Sequence, residues 1–187
     1  MTRDEAWKLL GEFVQDESLR KHMLAVEAAM RYYAGLLGGD VEQWGVVGLL
    51  HDFDYQRWPT IPEHSREGAK VLRERGVDEE LVGAILSHTD WNQGEYPRDR
   101  PLRKAICAVD ELCGFLVACS LVRPTRLEGL EPKSVRKKMK TPSFAAAVNR
   151  DDIIKGAELL GIPLDEHISN CIKALQPIAA QLGLSVV

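Results

Sequence analysis

The segment that decides the fold reads GVVGLLHDFDY and spans residues 45–55. Its first six residues are apolar on all sides of a helix, which predicts a helix buried in a protein core. Asp40 and Gln43 stand three residues apart ahead of it, a spacing typical of a capped helix start. His51 and Asp52 therefore follow a buried helix at the edge of the core. An ionisable side chain buried there costs free energy of folding unless it has a partner.

Outward from this segment, apolar residues recur at helical spacing along almost the whole chain. Between Ser18 and Leu37, apolar side chains three or four residues apart form one continuous stripe. Helices are expected over residues 2–14, 18–37, 40–50, 65–75, 78–89, 101–121, 149 or 151 to 161, and 165–182. Because strand-like alternation is missing outside the C-terminal tail, the predicted fold class is all-α.

Composition and charge exclude several classes of protein. The 187 residues weigh 20.9 kDa, carry a net charge of −4 and include only 6% aromatic residues, which argues against a nucleic-acid partner. Residues 123–140 nevertheless hold seven Lys or Arg and two Glu, so this segment carries +5 and the remainder −9. The expected organisation is a metal-binding helical core over 1–122, with 123–187 forming a basic connector and C-terminal helices packed on the same domain.

The N-terminus and the cysteines indicate in which cellular compartment the protein is expected. No run of about 18 apolar residues is present, which argues against a membrane span. The first residues include acids in place of an apolar signal core. The four cysteines, Cys107, Cys113, Cys119 and Cys171, form no CxxC pair. We therefore expect buried, reduced thiols and a cytoplasmic protein.

Four of the five histidines stand in one pattern with two aspartates. His22, His51 and His88 fall where the helical period expects apolar residues, and Asp110 does the same. Taken singly, a histidine on an apolar face is more often a hydrogen-bonded core residue than a ligand, and a His-Asp pair readily arises by chance. The fifth histidine, His167, lies far from the pattern and is expected to be an ordinary core or surface residue.

Taken together, the patterned residues predict a metal site. Asp52 and Asp110 need a cation if their faces are buried, and no Lys or Arg shares the inner stripes of the helices that carry the histidines. Neutral imidazole and carboxylate are ligands of divalent ions such as Fe, Mn, Ni, Zn and Co. With His64 there are six candidate ligands, too many for one ion that keeps an open position. They suit two ions bridged by a carboxylate and a water.

One known family shows the same ligand order. The order in this chain runs His22, His51-Asp52, His64, His88, Asp110. It resembles the HD-domain superfamily of metal-dependent phosphohydrolases, in the six-ligand branch written H…HD…H…H…D. The stretch GLLHDFDY is close to the HDIG motif, with Asp54 in place of the usual glycine and Tyr55 in place of a common His or Lys. The resemblance covers about residues 18–122 and implies an HD-domain helical bundle with a short C-terminal helical extension.

The resemblance also implies which residues hold the metal. A first ion would be held by His22, His51, Asp52 and Asp110, and Asp52 would bridge to a second ion held by His64 and His88. The implied catalytic residues are Asp52, His64 and His88. The implied cofactor is a pair of divalent ions, with Fe or Mn favoured and Ni, Zn, Co and Mg as alternatives.

The activity that the resemblance implies is hydrolysis of a small phosphoester or phosphoanhydride, with a nucleotide favoured, by a hydroxide that two metal ions activate. Two alternatives stay open, because a ligand set alone does not decide the chemistry. Some six-ligand HD proteins are di-iron oxygenases, and a metal-lined pocket can also serve a non-catalytic module that senses a nucleotide. The metal, the substrate and the oligomeric state are not set by the sequence.

Polar residues outside the ligand set complete the expectations. Asp54 is expected either to orient His51 or a water ligand, or to be a solvated residue at a helix end. Lys104, Lys137 and Lys138 are candidate contacts for the substrate phosphate, the last two within the basic stretch KSVRKKMK. A solvated helix face is the alternative reading for each of these lysines.

Overall fold

The structure is a computed structural model that describes residues 1–186. Every regular element in that part is helical, so the predicted all-α fold is confirmed. The helices are α1 (Arg3–Phe13), α2 (Glu17–Leu37), α3 (Val41–Leu50), α4 (Arg66–Glu74), α5 (Glu79–Ser87), α6 (Pro101–Leu121), α7 (Pro132–Met139), α8 (Arg150–Leu160), α9 (Leu164–Leu175) and α10 (Ala179–Leu182). Over residues 1–186, no helix is both long and apolar enough to span a membrane.

Side-chain caps explain where several of these helices begin. Thr2 and Glu5 form a reciprocal capping box ahead of α1. Asp16, Asp40 and Asp78 accept backbone N–H bonds at the N-termini of α2, α3 and α5. A carboxylate at that end also interacts favourably with the helix dipole. The caps place the start of α3 where the sequence pattern predicts it.

The core is built around α2, which packs against both α3 and α6. Gly48 permits the close approach of α3 to α2, since a Cβ atom at this position would lie 2.9 Å from the Cα atom of Glu27. Packed atoms do not tolerate that distance, so a side chain here would force the helices apart. Because His51 follows Gly48 by three residues, this contact also fixes the position of His51 relative to α2.

The C-terminal helices return to the same core, with α8 against α6 and α9 against α2 and α6. Gly156 permits the first of these contacts, since a Cβ atom there would lie 2.7 Å from the Cα atom of Ala108. The single last helix expected over 165–182 is interrupted by a short 3-10 turn, Gln176–Ile178. The physical reason is Pro177, which lacks the N–H group that an uninterrupted helix requires.

Part of the basic segment forms α7, which packs against α9 and α6. Its buried residue is Val135, while its basic side chains are partly or fully exposed. Arg136 pairs with Asp165 of α9 at 3.3 Å, and the ammonium group of Lys138 lies 4.7 Å from the ring centre of Phe144. Two of the basic side chains of α7, Arg136 and Lys138, therefore have partners within the protein.

Candidate metal centre

Five local structures bring the six candidate ligands to one place. His22 lies in α2 and Asp110 in α6, while His51 and His88 stand at the C-terminal ends of α3 and α5. Asp52 follows His51 directly. His64 lies in the turn that precedes α4. The histidines at the two helix ends are thus presented by rigid elements with apolar, buried interiors.

The first group of donor atoms contains His22, His51 and Asp52, whose atoms all lie within 4.8 Å of one another. The Nε2 atoms of the two histidines are 3.3 Å apart. Asp110 joins this group, because its Oδ1 atom is 3.0 Å from Nε2 of His22 and 3.4 Å from Nε2 of His51. The four residues proposed for a first ion therefore share one small space.

The second group contains Asp52, His64 and His88, again with donor atoms within 4.8 Å of one another. Oδ1 of Asp52 is 3.1 Å from Nε2 of each of these histidines. The other oxygen, Oδ2, is 3.7 Å from Nε2 of His51 in the first group. Asp52 is accordingly the residue common to both groups.

The tautomers of three histidines test whether this arrangement fits a metal. Nδ1 lies 2.8 Å from the carbonyl oxygen of Gly48 in His51 and 2.5 Å from that of Ile85 in His88. In His64 it lies 3.0 Å from a carboxylate oxygen of Asp54. Since these oxygens only accept, each Nδ1 must carry a proton and donate it. Nε2 of each neutral ring then presents a lone pair to the shared space, which is the form that binds a metal.

Asp54 has a different partner from the one expected. Its side chain is fully buried, with Oδ1 on Nδ1 of His64 and Oδ2 accepting the N–H of Gly68 at 2.9 Å. The expectation that it orients His51 is wrong, because the backbone carbonyl of Gly48 already occupies Nδ1 of that ring. Asp54 instead sets the orientation of His64 and ties it to α4.

The electrostatics of the metal-free site follow from these contacts. Burial of His51 disfavours its charged form, but the carboxylates of Asp52 and Asp110 outweigh burial and raise its pKa to about 9. Burial acts the same way on His64, whose pKa Asp52 and Asp54 raise to about 9. Burial would raise the pKa values of Asp52 and Asp110, yet the facing histidines hold both below their usual range. In the metal-free site the protons on these histidines therefore balance the charge of the two carboxylates, and a bound metal ion would replace those protons.

Asn92 is a buried residue near the site that sequence reasoning missed. Its side-chain amide donates to the hydroxyl groups of Ser65 at 2.9 Å and Thr89 at 2.8 Å. Ser65 adjoins His64, Thr89 adjoins His88, and φ of Ser65 is 64°, in the left-handed region. Asn92 thus links the two segments that carry the second group of histidines. The sequence offers no signal for this, since Asn92 stands in a polar loop where an asparagine is ordinary.

A cavity of about 280 Å³ opens beside the two groups. Its walls include Asp52, His64, His88, Asp110, Tyr55, Thr89, Asp90, Trp91, Arg98, Cys107, Glu111, Asp152, Lys155 and Leu159. Asp152, Lys155 and Leu159 belong to α8, so the C-terminal part of the chain supplies one wall. Tyr55 and Trp91 each lie edge-on to His64, with ring centres 5.0 and 5.9 Å away.

The three lysines expected to contact phosphate are not among the residues that line this cavity. Lys104 lies in α6, and Lys137 and Lys138 lie in α7. Their role stays a prediction. The cationic side chains in the cavity wall described here are those of Arg98 and Lys155. Lys155 is the single lysine of α8 and stands without the cluster of basic residues found over 133–140, so the sequence gives no comparable signal for it.

The sequence of this helical core matches a known protein family. The model of the HD domain matches residues 19–112, half of the chain, and this range includes all six candidate ligands. The chain belongs to the HD domain family. No curated protein and no solved structure matches it.

Membership of the HD family carries a general chemistry. It implies metal-dependent phosphohydrolase-type activity, a divalent metal and a small phosphorylated substrate. The match ends at residue 112, so α7 to α10 of this HD protein lie outside it. The wall that α8 contributes to the cavity is therefore not part of what the family model describes.

Proposed function

We propose that this HD protein is a phosphohydrolase of the six-ligand, HDIG-type branch that binds two divalent ions. The observation that supports this is the position of Asp52, whose two oxygens face two separate groups of donor atoms. His22, His51, Asp52 and Asp110 would hold one ion, and Asp52, His64 and His88 the other. Fe and Mn suit this mixture of imidazole and carboxylate, with Ni, Zn, Co and Mg as alternatives.

Each residue of the proposed site has a task that follows from its contacts. Asp52 would contribute one carboxylate oxygen to each group of donor atoms, and it is proposed as catalytic together with His64 and His88. The Nδ1 hydrogen bonds of the histidines keep the ring planes aimed at the shared space before any ligand binds. When bound, two divalent ions supply an activated water and neutralise the charge on phosphoryl oxygens.

The proposed substrate is a small phosphoester or phosphoanhydride, with a nucleotide favoured. A cavity of about 280 Å³ beside the two groups is at the lower end of the usual range for ligand pockets. It adjoins Asp52, His64 and His88, so a phosphate at these residues would leave the rest of the molecule directed toward α8.

The test is elemental analysis of anaerobically purified protein, followed by a phosphoester panel with the same sample and added Mn. We expect about two ions per chain and phosphate release without oxygen. Metal content near zero, or no phosphate from any ester, would overturn the proposal. Oxygen consumption with a polyol or phosphonate would indicate the di-iron oxygenase instead. Tight nucleotide binding without turnover would indicate the sensing module.

A further inference from the structure

The cavity beside the candidate ligands continues into a second recess of about 620 Å³. Both spaces are lined by Asp90, Arg98, Asp152, Lys155 and Leu159. Any part of a substrate that extends beyond its phosphate therefore passes between the loop that follows α5 and one face of α8.

Both cations of this passage already have anionic partners. The guanidinium group of Arg98 contacts Asp90 at 2.9 Å and also donates to the carbonyl oxygens of Ser87 and His88. The ammonium group of Lys155 contacts Asp152 at 3.3 Å, one turn away on α8. Asp99 and Glu158 of the outer recess add further carboxylates. The walls outside the ligand set thus hold more acidic than basic groups.

The packing of α8 holds this face at the cavity. Gly156, beside Lys155, lies against the backbone of Ala108 in α6, where a side chain would clash. The N-terminal end of α8 is tied to α6 as well, because the N–H of Asn149 donates to Glu111 at 3.1 Å. Asp152 and Lys155 are consequently held close to Asp110 by two contacts that precede and follow them.

We propose that the Asp152–Lys155 face of α8 determines specificity, and that it restricts the site to substrates with one phosphate and no further negative charge. This inference rests on the proposed phosphohydrolase function and narrows its substrates from phosphoesters and phosphoanhydrides to phosphomonoesters. A second anionic group would have to lie beside the carboxylates of this passage or displace Asp152 from Lys155. An uncharged or cationic group meets neither obstacle, and hydroxyl or ammonium donors can bind the wall carboxylates.

Three small phosphomonoesters of similar size test the inference: 2-hydroxyethyl phosphate, 2-aminoethyl phosphate and phosphoglycolate. Their free ends are neutral, positive and negative. Calorimetric titration of the Mn-loaded protein should show weakest binding for phosphoglycolate. Asp152→Asn, which frees Lys155, should strengthen phosphoglycolate binding about threefold relative to the aminoethyl ester. Lys155→Gln should shift the same ratio about threefold the other way.

Asp165→Asn is the matched control, since it removes the carboxylate partner of Arg136 on the surface, away from the cavity. It should leave the ratio of the two dissociation constants unchanged. The inference is overturned if Asp152→Asn and Lys155→Gln shift that ratio in the same direction, or no more than Asp165→Asn does. Binding in the expected order without hydrolysis would overturn the phosphohydrolase function alone. Hydrolysis of all three esters with equal kcat/KM, unaltered in both α8 variants, would overturn the inference alone.

Discussion

Two buried histidines of this protein, His51 and His167, have opposite surroundings. Nε2 of His167 donates to the carbonyl oxygen of Ala108 at 2.9 Å, and Nδ1 accepts from the hydroxyl of Tyr33 at 2.6 Å. His51 likewise donates from Nδ1 to a carbonyl oxygen, that of Gly48. Its Nε2, however, meets another histidine nitrogen and two carboxylates within 3.7 Å.

The comparison shows that burial by itself does not mark a ligand. Both side chains are fully buried in the same core, His167 within α9 and His51 directly after the last residue of α3. A neutral ring offers one donor and one acceptor, and in His167 both are used by the protein. In His51 the second nitrogen faces carboxylates and another imidazole, so either a proton on that nitrogen or a bound metal ion stabilises the arrangement.

Asp52→Ala should have the largest effect, because Asp52 is common to both donor groups. We expect loss of nearly all bound metal and a fall in phosphohydrolase activity of more than about 100-fold. Elemental analysis and a phosphate-release assay measure the two effects, and circular dichroism checks that the helices remain. Metal content equal to that of the parent would show that Asp52 is not a ligand.

Asp54→Asn should affect one of the two ions. Asp54 touches His64 and not His51, so the loss of its charge should weaken binding at the second group by about 10- to 100-fold. Calorimetric titration with Mn should show one bound ion per chain in the variant at a moderate Mn concentration at which the parent protein binds two. Asp165→Asn, an exposed acid-to-amide change, serves as control. Equal weakening of both ions would contradict the assignment of Asp54 to His64.

A rise in pH should lower the stability of the metal-free protein and raise its affinity for metal. The folded pKa of His51 and of His64 is about 9, above the unfolded value of about 6.5. The folded metal-free protein therefore binds extra protons, and its free energy of unfolding should fall as pH rises from about 6.5 through about 9. Metal needs neutral imidazoles, so metal affinity should rise over that interval. Urea unfolding with chelator measures the first trend, and calorimetric titration with Mn at several pH values measures the second. A metal-free protein that gains stability as pH rises, or a metal affinity that falls, would contradict this account.

His167→Ala should leave the metal in place and destabilise the core. The substitution removes the partners of Tyr33 and of the Ala108 carbonyl and creates a cavity, at a cost of about 3 kcal/mol or more. Urea unfolding measures the loss, and elemental analysis should give the parent metal-to-protein ratio. If the variant does not fold, His167→Gln provides the same comparison with a smaller cavity. Selective loss of metal from either folded variant would remove the distinction between the two histidines.

Much of the fold is predictable from local pattern. The apolar period and the caps at Asp40 and Asp78 locate α3 and α5, because capping and burial of an apolar face act over a few neighbouring residues. The structure differs from the prediction where a single residue interrupts a helix that the apolar pattern would continue. Pro177 interrupts the last helix although the apolar pattern continues through it.

The sequence by itself determined the helical fold class and the set of six candidate ligands, since residue type and spacing express both. Only the tertiary structure decided which atoms meet: that Asp52 adjoins both groups, that Asp54 contacts His64, and that α8 forms a wall of the cavity. The physical reason is that these contacts join residues far apart in the chain. They depend on how closely helices approach at Gly48 and Gly156, and no local pattern of residues encodes that distance.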